Sequence, residues 1–75
     1  SFGELATVDE VENMLGHFQT AMTASGFFNP DNPKRLMPRL RRMFGRIRLE
    51  RDEVNILRGM LASFQFPEKF RKRDY

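Results

Sequence analysis

The stretch TVDEVENMLGHFQTAMTASG, residues 7–26, has the signals expected of one complete amphipathic helix. Thr7 followed three residues later by Glu10 is a capping box, in which the hydroxyl and the carboxylate accept hydrogen bonds from amides that helix geometry leaves unpaired. Apolar residues then recur at helical spacing and form one face. These residues are Val8, Val11, Leu15, Phe18 and Met22. The pattern predicts a first helix over residues 7–25.

The segment after this helix is rich in turn-forming residues and predicts a short loop. Gly26 can adopt the left-handed conformation that closes a helix, and we expect Phe27 to fold back on the last turn. Asn32 before Pro33 is typical of an N-cap followed by the one helical position where proline is harmless. A second helix is therefore predicted over residues 33–47.

Pro38 complicates the start of that helix, because it lies late for a first-turn proline and removes one backbone hydrogen bond. A kink near Leu36 and a start delayed to Met37 both remain open. Beyond Pro38 the helical pattern is regular. It predicts a buried stripe formed by Leu36, Leu40, Met43, Phe44 and Ile47.

A third helix is predicted over residues 50–65, where apolar residues again recur with a helical rhythm and Pro67 prevents continuation. These residues are Val54, Leu57, Leu61 and Phe64. The basic tail, residues 69–75, is expected to fray, with Phe70 as its anchor. Three amphipathic helices joined by short loops predict an all-α fold. We expect a single domain of residues 1–75, built as a small three-helix bundle.

Composition excludes several classes of function. The absence of cysteine excludes a disulfide scaffold, a thiolate zinc site and a cysteine nucleophile. His17 is the only histidine, and without a neighbouring nucleophile we interpret it as a surface residue. No glycine-rich loop suits a nucleotide. We therefore expect no catalytic, metal or cofactor site, and the chain alone is not expected to be an enzyme.

The sequence also indicates where in the cell the protein is located and whether it belongs to a longer chain. No apolar run approaches the roughly 18 residues that span a bilayer, and the N-terminus lacks the regions of a signal peptide. A soluble, cytoplasmic protein is expected. Because the sequence begins without Met, we interpret it as one domain of a longer protein.

Charge is strongly segregated along the chain. Residues 1–33 contain five acids and no base, whereas residues 34–75 contain 13 bases and five acids. Helical spacing places four arginines opposite the apolar stripe of the second helix: Arg35, Arg39, Arg42 and Arg46. Like charges at i, i+4 repel each other, and a polyanion would relieve that repulsion. The planar guanidinium also suits bidentate phosphate contacts. The pattern favours a nucleic acid over a solvated or protein-binding face, with a membrane surface least favoured.

The third helix has a second face that composition leaves ambiguous. It consists of Arg51, Asn55, Arg58, Gly59 and Ala62. A glycine inside a helix costs about 1 kcal/mol relative to alanine, so a close neighbour would explain Gly59. One interpretation is helix packing across Gly59 and Ala62, with Asn55 as a polar plug. The other is ligand binding by Asn55 and Arg58, and neither is preferred at this point.

The stretch LRRMFGRIRLERDEVNILRGMLAS, residues 40–63, resembles the C-terminal helical extension of the TrmJ-type tRNA 2′-O-methyltransferases, members of the SPOUT (SpoU-like) class. The likeness is most specific in LRRMF, residues 40–44, and in NILRG, residues 55–59. The resemblance implies a parent enzyme with an N-terminal knotted α/β domain that binds S-adenosylmethionine and forms a homodimer. That domain would methylate the ribose 2′-hydroxyl of nucleotide 32 in the tRNA anticodon loop.

None of the knotted domain lies within residues 1–75, so the chain is expected to be the C-terminal accessory domain of such an enzyme. Its expected partners are tRNA and its own catalytic domain. No association with a membrane is expected. Together, the resemblance and the charge pattern predict tRNA binding through Arg35, Arg39, Arg41, Arg42, Arg46, Arg58 and Asn55.

Two alternatives remain. The chief one is a protein-interaction module that packs on its own catalytic domain or on a dimer partner without touching RNA. Its contacts would be Phe27, Phe28, Phe66 and Phe70. A helix-turn-helix DNA binder is less favoured, because the arginines lie along the preceding helix instead of at the start of a recognition helix.

Overall fold

The computed structural model describes residues 3–71 and contains three α-helices followed by one 3-10 turn. The helices are α1 (Val8–Ser25), α2 (Leu36–Gly45) and α3 (Arg51–Gln65), and the 3-10 turn is Pro67–Lys69. Within residues 3–71 there is no strand, which confirms the predicted all-α three-helix domain. Most of the predicted fraying tail, residues 72–75, lies outside the described residues.

The start of α1 is fixed by the predicted capping box. The Glu10 amide donates to Thr7 Oγ1 over 3.1 Å, and the Thr7 amide donates to Glu10 Oε1 over 2.8 Å. Two amides that would otherwise lack partners are therefore satisfied reciprocally.

The end of α1 confirms the role of Gly26 and corrects that of Phe27. Gly26 is left-handed, with φ of 86°. The amide that returns to the helix is that of Phe28, which donates to the Met22 carbonyl over 3.0 Å. This bond is made one residue later than in a Schellman motif. Phe28 is consequently buried, whereas Phe27 turns away and is 74 % exposed.

The second helix is shorter than predicted and begins at Leu36, not at residue 33. Lys34 and Arg35 precede it with φ of 52° and 60°. This left-handed backbone is incompatible with a right-handed α-helix. With this start, Pro38 falls in the first turn, where amides have no partner inside the helix, so the proline removes no bond. The start is therefore delayed, as the second alternative has it, but it falls at Leu36, one residue before the predicted Met37. The predicted end at residue 47 is also too late.

Helix α1 lies between α2 and α3 and contacts both, more extensively α3. The centre of the core is Met14, Leu15 and Val54, against which α2 packs Leu40 and Phe44. The rings of Phe44 and Phe18 lie 5.5 Å apart. Within the described residues, no Cα atom of α2 comes within 8 Å of one in α3. The fold is therefore thin, measuring 43 × 34 × 15 Å.

This arrangement exposes apolar residues that periodicity assigned to a core. Met43 and Ile47 of the predicted buried stripe are each about half exposed, and Phe64 and Val8 are exposed over most of their surface. The reason is that the backbones of α2 and α3 both approach that of α1 but not each other. Only a narrow strip of each helix is therefore covered.

Helical periodicity does not predict one contact of the fold, a backbone pairing between two segments outside the helices. The Ala6 amide donates to the Leu49 carbonyl and the Arg51 amide donates to the Glu4 carbonyl, each over 2.8 Å. These bonds pair the segment before α1 with the link between α2 and α3. The link is thereby attached to the start of the chain.

Candidate nucleic-acid interface

Arg41 is the first base of the predicted site that the domain itself neutralises. Its Nε and Nη2 donate to the two carboxylate oxygens of Glu12, each over 3.0 Å. The hydrogen bonds from Arg41 lower the pKa of Glu12 and the same bonds raise the pKa of Arg41. This bidentate pair joins α2 to α1.

Arg51 is neutralised in the same way. Its Nη1 lies 3.1 Å from Glu4 Oε1, and its Nε lies 2.9 Å from Glu10 Oε2. The second contact is close enough for an ion pair, but Nε has no well-directed hydrogen bond, so we regard the attraction as electrostatic. The hydrogen bond from the Thr7 backbone lowers the pKa of Glu10, and the charge of Arg51 lowers it further.

The other bases between positions 34 and 51 are exposed. In the part of the chain that the structure describes, their side chains have no ion pair and no hydrogen bond. They are Lys34, Arg35, Arg39, Arg42, Arg46 and Arg48. Glu4, Glu10 and Glu12 are thus paired with Arg51 and Arg41, whereas Asp9 has no ion pair among the described residues. The remaining six bases carry positive charge without an acidic partner among the described residues, and we call them together the α2 basic surface.

The α2 basic surface is less regular than helical spacing predicts. Only Arg39 and Arg42 lie within α2; Arg35 is its left-handed N-cap, and Arg46 follows its last residue. The Arg46 amide donates to the Met43 carbonyl over 3.3 Å, which tightens this end of the helix. Arg39 and Arg42, in the middle of the predicted stripe, are therefore positioned by the helix. Arg35 and Arg46, at its two ends, are positioned by the adjoining turns.

Arg58 of α3 is bonded within the domain. Its Nε donates to His17 Nδ1 over 3.3 Å, and the other ring nitrogen, Nε2, lies 2.9 Å from Gln65 Oε1. Because a guanidinium only donates, Nδ1 must accept and Nε2 must donate to Gln65. His17 is partly buried and connects α1 to α3, so its interpretation as a plain surface residue is wrong. No local pattern in the sequence predicts the contact between His17 and Gln65, which are 48 residues apart.

The packing interpretation of Gly59 is also wrong. A Cβ atom at Gly59 would meet no atom within 4 Å, so no neighbour in the described chain requires a glycine there. Asn55 is exposed and is therefore not a polar plug. Asn55 and Arg58 share the exposed side of α3 but are not brought onto α2.

The described residues offer little for chemistry. Residues 3–71 contain no group of three or more histidine, cysteine or acidic side chains that could hold a metal ion. No helix in that range is both long and apolar enough to cross a membrane.

Comparison with known proteins identifies relatives over most of the chain. A family profile described as tRNA methyltransferase TrmJ, C-terminal domain, matches residues 9–74. The tRNA (cytidine/uridine-2′-O-)-methyltransferase TrmJ of Cronobacter sakazakii is 47 % identical over 58 residues, which cover 77 % of this chain and 24 % of that protein. The enzyme of the same name from Escherichia coli (strain K12) is 42 % identical over 67 residues, which cover 89 % of this chain and 27 % of that protein.

The chain thus spans about a quarter of the length of the relatives it matches. No solved structure matches it significantly. The matched residues include both α2 and the NILRG stretch, so the resemblance found in the sequence is confirmed. The chain belongs to the family of C-terminal domains of the tRNA methyltransferase TrmJ.

Proposed function

We propose that this domain binds tRNA through the α2 basic surface, as the accessory domain of a tRNA 2′-O-ribose methyltransferase. The observation that carries the proposal is the pairing of charges. Arg41 and Arg51 are neutralised by acids within the domain, whereas the six other bases of this segment have no acidic partner among the described residues. A phosphate backbone supplies the missing negative charge.

The binding mode follows from the chemistry of the surface. Arginines that contact phosphates position an RNA but carry no sequence information themselves. We expect binding that orients the body of the tRNA, weakens steeply with salt and depends little on sequence. Asn55, Arg41 and Arg58 remain weaker predictions for RNA contact, since Arg41 and Arg58 are already hydrogen-bonded within the domain.

The whole protein is proposed to be a methyltransferase that uses S-adenosylmethionine and acts on tRNA in the cytoplasm as a homodimer. The names of the relatives support the reaction and the substrate. The chemistry would belong to an N-terminal catalytic domain outside these residues. This domain would bind tRNA and its own catalytic domain, and would hold no cofactor.

The experiment compares neighbouring arginines that differ in pairing. In the whole protein that carries this domain, Arg42→Gln with Arg46→Gln removes two unpaired charges, and Arg41→Gln removes one that is already paired. We expect the double variant to lower tRNA affinity and to reduce the slope of log affinity against log salt by roughly 1.4 to 1.8. We expect Arg41→Gln to change the slope less than half as much. An unchanged slope in the double variant refutes the proposal.

A protein-interaction module is the second candidate, and exposed apolar residues favour it. Phe28 is buried and cannot contact a partner protein, so one of the four predicted contacts is removed. Phe27 and Phe66 are exposed, although Lys69 Nζ lies 5.1 Å from the Phe66 ring. An apolar interface would be insensitive to salt, unlike a phosphate surface. A helix-turn-helix is not supported, because no described Cα atom of α2 comes within 8 Å of one in α3.

A further inference from the structure

A cleft lies between the loop that follows α1 and the first turns of α2. Its volume is about 330 Å³, and its wall includes Phe27, Asn32, Lys34, Leu36 and Arg39. The volume falls in the range of roughly 300 to 1,000 Å³ that is usual for small-molecule and cofactor sites. The cleft therefore has room for a ligand of that size.

Phe27 is the unusual part of this wall. Its ring is 74 % exposed, although the neighbouring Phe28 is buried and holds the loop against α1. The Phe27 amide also donates to Ser25 Oγ over 3.3 Å, so the backbone on both sides of the ring is hydrogen-bonded. A large apolar ring is thus presented to solvent from a fixed support. Such a ring is a surface on which a planar base can stack.

The charges of the same wall match a phosphate. Lys34 and Arg39 both line the cleft, and neither has an ion pair among residues 3–71. The nearest acid in sequence, Asp31, has its amide bonded to Asn29 Oδ1 over 2.9 Å and does not line the cleft. Proteins that bind unpaired nucleotides combine an aromatic ring for the base with cations for the backbone, and this wall offers both.

We propose that this cleft binds one unpaired nucleotide of the RNA, with its base stacked on Phe27 and its phosphate held by Lys34 and Arg39. The inference rests on the proposed tRNA binding and extends it. The α2 basic surface contacts phosphates of any RNA, whereas the cleft requires a base that is free of a duplex. Asn32 lies on the same wall and offers an amide group for the edge of the base.

The test uses Phe27→Ala in the whole protein, with Phe64→Ala as a matched control, because Phe64 is 71 % exposed on α3 and does not line the cleft. The probes are a short single-stranded oligouridylate and an RNA duplex of the same length. Loss of one stacked base weakens binding by roughly 5- to 150-fold. We expect that loss for Phe27→Ala on the single strand only, and no loss on either probe for Phe64→Ala.

A second variant, Phe27→Trp, keeps an aromatic surface and should retain affinity for the single strand. The chain contains no Trp. In the 75-residue chain, the introduced indole should therefore report base stacking directly, as quenching of its fluorescence by oligouridylate.

The outcomes separate this inference from the proposed function. If Phe27→Ala leaves single-strand binding unchanged, or weakens both probes equally, the cleft does not stack a base. Should Arg42→Gln with Arg46→Gln still weaken both probes in that case, the α2 basic surface stands without the cleft. If neither set of variants weakens binding, both proposals are wrong.

Discussion

The pairing of Arg41 with Glu12 leads to a prediction in which removing an acid strengthens RNA binding. Both oxygens of Glu12 accept hydrogen bonds from Arg41, which occupies the edge of the guanidinium that would otherwise contact a phosphate. Glu12→Gln keeps the size of the side chain but removes its charge and one of its two acceptor oxygens. Arg41 should then join the α2 basic surface as a seventh available base.

The magnitude follows from one additional phosphate contact. Each contact adds about 0.7 to 0.9 to the slope of log affinity against log salt. We therefore expect the slope for Glu12→Gln to steepen by about 0.8. Over a fourfold rise in salt, this variant should lose about threefold more affinity than the unaltered protein. At low salt its affinity should be the higher of the two.

The assay is a titration of labelled tRNA at several salt concentrations, with two controls. Asp9→Asn changes net charge by the same amount, and Asp9 is exposed on α1 without an ion pair among the described residues. Arg41→Gln combined with Glu12→Gln should abolish the gain. If Asp9→Asn steepens the slope equally, net charge alone explains the effect. If Glu12→Gln does not steepen it at all, Arg41 is not on the RNA-binding side of α2.

Three further predictions concern the fold and are checked by urea unfolding followed by circular dichroism. Leu15→Ala should lower the free energy of unfolding by about 2 to 5 kcal/mol, because Leu15 is 1 % exposed. Val8 belongs to the same predicted apolar stripe but is 78 % exposed, so Val8→Ala should change that free energy by less than about 0.5 kcal/mol. Equal losses would contradict the observed core. Gly59→Ala should stabilise the domain by about 1 kcal/mol, since nothing lies near its added Cβ, and Gly26→Ala should destabilise it by about 1 to 2 kcal/mol, since φ is 86°. The pKa of Glu10 is lowered by its bond from Thr7, so its contribution is present above its ordinary value of 4.5 and is lost as pH falls through the lowered pKa. The free energy of unfolding should therefore decrease as pH falls below about 4.5, and less so in Glu10→Gln.

Local signals in the sequence predicted the helices well. The capping box at Thr7 and Glu10 and the glycine at position 26 depend on neighbours a few residues away, so the sequence alone could locate them. Pro38 allowed two starts for α2, and the left-handed backbone at Lys34 and Arg35 decided between them. Chain-local chemistry therefore set the element boundaries to within a few residues.

Contacts between distant residues could not be predicted. Periodicity identifies an apolar face but not how many neighbours cover it, so Met43 and Ile47 were wrongly assigned to the core. The same limit applies to the candidate site. Arg35, Arg39, Arg42 and Arg46 were named from the sequence, and Arg48 was not. The pairing of Arg41 with Glu12, 29 residues away, depends on the packing of two helices. Charge composition alone cannot tell a paired arginine from an unpaired one.

The thinness of the fold has a consequence for how the domain can work in a larger protein. The backbones of α2 and α3 both approach α1 but not each other, in a fold about 15 Å thick. On α3, the half-exposed Ile56 and Met60 and the largely exposed Phe64 follow one another at a spacing of four residues. An RNA that contacts only the α2 basic surface would leave these three apolar side chains uncovered. We therefore expect a protein partner on this part of α3 and an RNA on α2 to bind without competing.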